Sequence, residues 1–370
     1  MERAHIIVVK IGSSVLIDDQ ARLDPEMFAR IARQVSKILA EGQRVVLVTS
    51  GAILAGRSRM KITADRDSIP VKQAMAAIGQ SDIIRFYEQF FTHHGNVVAQ
   101  VLLTRDDLES RHRYLNARHT LMCLMDMKVV PIINENDTVM VEEIHFGDND
   151  NLAAMVTPLV DADLLIILSD VSGLFDGDPA LGKGRCIIPV VDRVDERIEA
   201  LAGGARPGMG LGGMITKVDA AKRAARYGVP TVVADGKERD IILRIIQGES
   251  IGTIFLPQED RLTSRKHWIA YTLKSRGDLV LDGGAVGALV KRGKSLLPSG
   301  IIEVRGTFSK GELVVCLDQN GKPLARGLVN YSSAETDRIK GHHSSHILEI
   351  LGYKVTDEVI HRDNMVLLRE

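Results

Sequence analysis

Six short runs of aliphatic, mostly β-branched residues recur along the first 257 positions: "HIIVVKI" at 5–11, "RVVLVTS" at 44–50, "NVVAQVLL" at 96–103, "KVVPIIN" at 128–134, "DLLIILSD" at 163–170 and "VPTVVAD" at 229–235. They are apolar almost throughout and do not alternate with polar residues. A strand of that kind must be covered on both faces, and helical patterns at 25–40, 107–126, 149–160 and 213–227 supply the covers. The expectation is an α/β domain with a mostly parallel open sheet sandwiched by helices, ending near "GTIFLP" at 252–257.

Beyond residue 257 the pattern changes. Residues 258–275 are charged and largely aperiodic and carry the one tryptophan, Trp268, so they read as a linker. Residues 276–370 read as short strands with turn signals, among them Gln319-Asn320-Gly321 as a hairpin turn, which predicts a smaller β-rich barrel domain. A chain of 370 residues is long enough for two such domains.

Charge excludes a bulk polyanion binder: 47 Lys plus Arg stand against 48 Asp plus Glu. Residues 276–370 hold 13 basic and 12 acidic residues, and only Lys291, Arg292 and Lys294 cluster, which argues against RNA as a partner. Cys123, Cys186 and Cys316 lie far apart without metal-ligand spacing and are expected to be reduced core thiols of a cytoplasmic protein. No run approaches the roughly 18 to 20 apolar residues of a membrane span. His342, His343 and His346 in "GHHSSH" lack the further ligands of a zinc site and read as a solvated turn.

In open α/β sheets ligands bind outside the carboxyl ends of the strands, and the polar residues gather there. Lys10 closes the first run and is followed by Gly12-Ser13-Ser14; the second ends in Thr49-Ser50-Gly51. After the fourth come "NENDTV" (134–139) and "FGDNDNLAAMV" (146–156), which place Asn134, Asn136, Asp137, Asp148, Asn149 and Asp150 together, more than helix capping alone requires. The segment "GMGLGGMITK" at 208–217 is no P-loop, because Thr216 precedes Lys217; the only Gly-Lys-Ser, at 293–295, has Ala288 where the motif needs glycine. Gly212 and Gly213 can still bring backbone N–H groups and a helix N-terminus to a phosphate, with Lys217 in the first turns. Two lysines from opposite ends of one domain, with a carboxylate such as Asp150 to hold both, suit phosphoryl transfer, where catalysis is positioning and charge neutralisation.

The ordered segments "VVKIGSS", "VTSGA", "LLTRDDL", "VVPIINENDTV", "FGDND", "LSDVSGLF" and "GGMITK" resemble the amino-acid kinase superfamily and, within it, the glutamate 5-kinases; "SLLPSGI", "ARGLVNY" and "LGYKVTDEVIHRDN" resemble the attached PUA domain. The resemblance implies an amino-acid kinase domain over 1–257 and a PUA domain over 276–370. It implies ATP, with Mg²⁺ arriving alongside, and phosphorylation of the side-chain carboxylate of L-glutamate to glutamyl 5-phosphate, the first step of proline biosynthesis. Lys10, Asp150 and Lys217 would be catalytic. Ser50, Gly51, Asp137 and Asn149 fall where the family holds glutamate. Lys10, Ser169, Asp170, Leu211, Gly212, Gly213, Met214, Ile215, Thr216 and Lys217 fall on the nucleotide side. Leu211 and "GLFDGDP" at 173–179 depart from the family's commoner residues there. Feedback inhibition by proline, a homo-oligomer and glutamate-5-semialdehyde dehydrogenase as a partner follow from the same resemblance. Acetylglutamate kinase, aspartokinase and uridylate kinase share the lysine and glycine logic and are the alternatives within the enzyme class; an RNA-binding role through the PUA domain is the alternative outside it.

Overall fold

The computed structural model describes residues 4–18, 20, 22–62, 68–139, 148–177, 186–203, 213–257 and 275–368. The chain forms two compact units, residues 1–259 and 260–370.

The first unit is built on an eight-stranded sheet. Its strands are β1 (Ile6–Ile11), β2 (Arg44–Val48), β3 (Val98–Leu103), β4 (Val130–Glu135), β5 (Leu164–Ser169), β6 (Val190–Val191), β7 (Thr231–Asp235) and β8 (Thr253–Phe255), in the order β3-β4-β2-β1-β5-β7-β8-β6. Every pairing is parallel except β7 with β8. The six apolar runs of the sequence are β1 to β5 and β7, and β1, β2, β4 and β5 are buried almost end to end.

Helices cover both faces. They are α1 (Ser13–Leu16), α2 (Pro25–Ala40), α3 (Ala52–Met60), α4 (Ile69–Thr92), α5 (Arg105–Glu109), α6 (Arg111–Asp126), α7 (Asp148–Leu159), α8 (Glu196–Ala202), α9 (Met214–Ala225) and α10 (Ile241–Ile246). Alternate strand residues divide between two cores. Ile7, Val9 and Leu47 pack toward α2, α3, α4 and α10, whereas Val8, Val46 and Val48 pack toward α6, α7 and α9. The helix expected over 107–126 is two helices: Thr104 and Asp107 form a reciprocal capping box that starts α5, and Ser110 is extended and ends it.

The neighbours of β1 set the position of the site. From β1 the chain moves to β2 on one side and later to β5 on the other, so a crevice opens between the carboxyl ends where the order reverses. Helix α7 connects β4 to β5 and therefore crosses the sheet beneath β2 and β1. Its N-terminal residues begin at that crevice.

The second unit is a five-stranded mixed sheet. Strands β9 (Gly277–Leu281), β10 (Ile301–Gly306), β11 (Leu313–Leu317), β12 (Pro323–Leu328) and β13 (Met365–Leu367) run in the order β10-β9-β11-β12-β13, with β9 and β11 parallel. Among the described residues β10 and β13 are its edges, and the unit is the smaller β-rich domain expected. The turn predicted at 319–321 joins β11 to antiparallel β12, with Gly321 at φ +81° and its N–H donating to the Asp318 carbonyl at 3.0 Å. The linker reading of 258–275, with Trp268, lies outside the described residues but for Ser275. Of the three cysteines only Cys316 is a core residue; Cys123 and Cys186 are exposed, which corrects the expectation of three core thiols. Cys123 lies on the outward side of α6, where a cysteine carries no packing duty. His343 accepts from the Ser345 N–H at the start of a short 3₁₀ turn, and none of the described histidines belongs to a metal-binding group. No described helix is long and apolar enough to cross a membrane.

Candidate active site

Lys10, Asp150 and Lys217, 140 and 67 positions apart in sequence, meet at the crevice. Lys10 is the penultimate residue of β1, Asp150 lies in the first turn of α7, and Lys217 in the first turn of α9. Alanines bring the two helices together: Ala153 and Ala154 on α7, and Ala220, Ala221 and Ala224 on α9, are fully buried in one core. Asp150 Oδ1 lies 2.5 Å from Lys10 Nζ and Oδ2 lies 3.2 Å from Lys217 Nζ. The Thr216 hydroxyl is 2.8 Å from Oδ2 and 2.9 Å from the Gly213 carbonyl, and its single proton serves one of them at a time.

All three charged groups are nearly inaccessible, with Asp150 at 0% and both lysines at 4% exposure. Burial pulls the Lys10 ammonium below the usual lysine range, against the attraction of Asp150, and the like charge of Lys217 adds to the lowering. Burial pushes the Asp150 carboxyl up, but the two ammonium groups outweigh it and hold Asp150 below the usual carboxylate range. Two cations and one anion leave this cluster one positive charge in excess. Two ammonium groups held by a single carboxylate are suited to receive an anion.

A second group of polar residues gathers around Asn149. Its Nδ2 lies 2.8 Å from the Thr49 carbonyl, 3.0 Å from Asn134 Oδ1 and 3.1 Å from Ser50 Oγ. Asn134 also receives the Glu135 N–H at 2.9 Å and donates to Gln80 Oε1 at 2.5 Å. Gly51, at φ +93°, turns the chain from β2 into α3 in a conformation that side chains disfavour, which lets Ser50 face Asn149. The Thr49 hydroxyl meets the buried Tyr87 hydroxyl at 3.1 Å.

Asp137 follows β4 in a short 3₁₀ turn (Asp137–Val139) against α4. It is half-buried, no ion pair reaches it among the described residues, and burial raises its carboxyl to about 6. A carboxylate in that state is short of a cation.

The other predicted positions separate into three groups. Ser169 is buried at the end of β5 and donates to Asp170 at 3.0 Å; Asp170 is exposed and adds a favourable charge for Lys10. Gly213 caps α9, and Met214, Ile215 and Thr216 form its first turn. Leu211 and Gly212 lie outside the described residues, as do 140–147 and the side chain of Asp148. Asn136 serves its own turn, accepting from the Thr138 hydroxyl at 2.6 Å, which is the capping duty that sequence alone could not separate from ligand binding.

Sequence reasoning did not single out Gln80, Thr49 or Tyr87 as site residues. Gln80 and Tyr87 are seven positions apart on α4 and so lie on one helical face, but that spacing in an apolar helix is no signal for a site. Only the fold brings them to the ends of β2 and β4.

Residues 5–235 match the Amino acid kinase family and residues 277–351 match the PUA domain. The glutamate 5-kinase of Pelobacter propionicus is 50% identical over 362 residues, covering 98% of this chain and 97% of its own. That of Caldanaerobacter subterraneus subsp. tengcongensis is 50% identical over 362 residues, with the same shares. That of Geobacter sulfurreducens is 48% identical over 368 residues, covering 100% of this chain and 99% of its own. With the catalytic fold matched over more than half its length and full-length relatives at this identity, the chain belongs to the amino acid kinase family.

Proposed function

We propose that this protein transfers the γ-phosphoryl group of ATP to the side-chain carboxylate of L-glutamate, giving L-glutamyl 5-phosphate and ADP. The observation that carries the reading is the buried Lys10–Asp150–Lys217 cluster with its one excess positive charge, in a chain whose full-length relatives bear the name glutamate 5-kinase.

The chemistry asks for what the cluster offers. A carboxylate oxygen of glutamate attacks the γ-phosphorus, an O–P bond forms, and the bond from that phosphorus to the β,γ-bridging oxygen breaks, its electron pair leaving on ADP. The nucleophile is already ionised at neutral pH, so no base has to remove a proton. Asp150, held low and paired with two ammonium groups, is a poor proton acceptor and a good organiser. Lys10 and Lys217 neutralise charge on the equatorial oxygens of the transferring group, and Asp150 fixes the direction of both.

The nucleotide lies on the side of β5, Ser169, Asp170 and α9, whose N-terminus has no side-chain cap and brings the positive end of the helix dipole to a phosphate. Mg²⁺ bound with ATP would supply further charge neutralisation on this side. Glutamate lies on the side of Ser50, Gly51, Asn149 and Asp137, with the Asp137 carboxylate taking its α-ammonium. Proline shares that ammonium and the α-carboxylate but has no side-chain carboxylate, so it occupies the same end without reacting and inhibits. Glutamate-5-semialdehyde dehydrogenase is the enzyme class that would consume the acyl phosphate, and assembly into a homo-oligomer in the cytoplasm belongs to the same reading.

ADP release measured with ATP and a panel of glutamate, N-acetylglutamate, aspartate and UMP tests the proposal. Turnover with glutamate at least tenfold above the other three is expected; turnover confined to another acceptor would sink it.

A further inference from the structure

The amides of Gln80, Asn134 and Asn149 form a line, and their polarity is not free. The Glu135 backbone N–H can only donate, so the Asn134 atom it meets must be oxygen. The Thr49 carbonyl can only accept, so the Asn149 atom it meets must be nitrogen. The Asn134 nitrogen then points at Gln80, which must present oxygen. Two backbone groups therefore orient three side chains.

The two ends of the line are left over. Asn149 Oδ1 is buried and has no hydrogen-bond partner among the described residues, and Gln80 Nε2 at the far end is in the same condition. A buried unsatisfied polar atom is costly, and at Asn149 it lies beside Ser50 at the mouth of the crevice. Whatever meets that oxygen must donate hydrogen bonds.

Helix α4 comes near enough to join the line because two glycines cross. A methyl at Gly79 would lie 1.9 Å from the Ala52 carbonyl oxygen, and one at Gly56 would lie 1.9 Å from that of Met75. Gln80 is the next residue and is 9% exposed. It reaches Asn134 across this contact.

We propose that Gln80 is a positioning residue for the amino-acid end of the site: it anchors Asn134 beside Asn149, whose polarity the Thr49 carbonyl fixes, and so holds in place the Asn149 side-chain oxygen that faces the ligand. The oxygen selects a cationic donor such as an α-ammonium and disfavours a carboxylate at that point. This inference rests on the amino-acid reading of the site proposed above.

Steady-state kinetics on Gln80→Met and Gln80→Glu test it. Methionine keeps the length of glutamine and lacks the acceptor; glutamate keeps an acceptor oxygen in the same place. Gln80→Met should raise the glutamate KM about three- to tenfold, the worth of one hydrogen bond, with a smaller change in the ATP KM. Gln80→Glu should restore the glutamate KM to within about threefold of the unaltered protein. In an Asn149→Ala background, Gln80→Met should add less than about twofold, because nothing is left to orient. A glutamate KM unmoved by Gln80→Met, equal shifts in both substrates, or full additivity with Asn149→Ala would each overturn the proposal. Should Gln80→Met not fold, Gln80→Ser, too short to reach Asn134, carries the same expectations. The unaltered protein separates the two readings: if it turns over a different amino acid, the substrate assignment falls and the Gln80 comparison is made with that acceptor.

Discussion

The two ends of the crevice are built on opposite principles. At the end proposed for phosphoryl transfer two lysines share one carboxylate, Asp150, which uses both oxygens on them and one of those on Thr216 as well. At the amino-acid end the groups are left wanting: Asp137 has no cation among the described residues and Asn149 Oδ1 has no donor. On the function proposed, the phosphoryl end must keep its geometry while charge moves through it, and its ion pairs are already formed without a ligand. The other end must distinguish ligands, and an unsatisfied buried group does so because a ligand that cannot complete it pays the desolvation cost without return.

The comparison breaks most sharply at Lys217. Lys217→Ala should cut kcat by roughly two to three orders of magnitude, the scale of losing one preorganised charge donor, while circular dichroism shows a folded protein. Near-normal turnover would mean that the phosphoryl end is not locked by this cluster.

Asp150→Asn comes next. It should lower kcat more than it raises the glutamate KM, since it disturbs the lysines rather than the ligand. It also removes the main attraction that keeps Lys10 protonated against burial, so the alkaline limb of the pH–rate profile should move to lower pH. An unchanged alkaline limb would show that Lys10 does not depend on Asp150.

At the other end, Asp137→Asn should raise the glutamate KM at least about tenfold, weaken inhibition by proline in parallel and leave the ATP KM nearly unchanged. The carboxyl of Asp137 is raised, so it is ionised and able to hold an ammonium above about 6 and becomes neutral below it. In the unaltered protein kcat/KM for glutamate should therefore fall as pH drops through about 6, and Asp137→Asn should lack that limb. A limb that persists in the variant belongs to another group.

The smallest effect is expected from removing the second unit. Lys10, Ser50, Asp137, Asn149, Asp150 and Lys217 all precede residue 258, so a chain ending at Pro257 should keep kcat within a few-fold. A folded but inactive truncation would place part of the site beyond it.

Much of this molecule is legible in sequence because its signals are local. Strands buried on both faces leave continuous apolar runs, and each was read within about two residues of its ends. Lys10 and Asp137 stand just where those runs stop, which is where an open α/β sheet collects its chemistry, and Asn149, Asp150 and Lys217 stand at the starts of helices approached by the polar "FGDND" and glycine-rich "GGMITK" segments. What failed to show was tertiary. The α3–α4 pair carries glycines inside its helices, a composition that argues against helix unless a close crossing demands it. The partnership of Gln80 with Asn134 joins residues 54 positions apart, and no local pattern records it. Asn136 and Asn134 look alike in sequence and do unrelated work, one closing its own turn and the other at the centre of the amide line.

The crossing at Gly56 and Gly79 has a bearing on how this gene product would tolerate change. Because backbone meets backbone there, no rotamer can absorb an added methyl, and the displacement would pass through the helix to the residue beside it. A saturation screen scored on growth without proline would then rank these two glycines with Lys10 and Lys217, the lysines proposed to handle phosphate, although neither glycine lies in the proposed site. Purified protein would tell them apart: the lysine variants would bind glutamate and fail to turn it over, and the glycine variants would lose their grip on glutamate first.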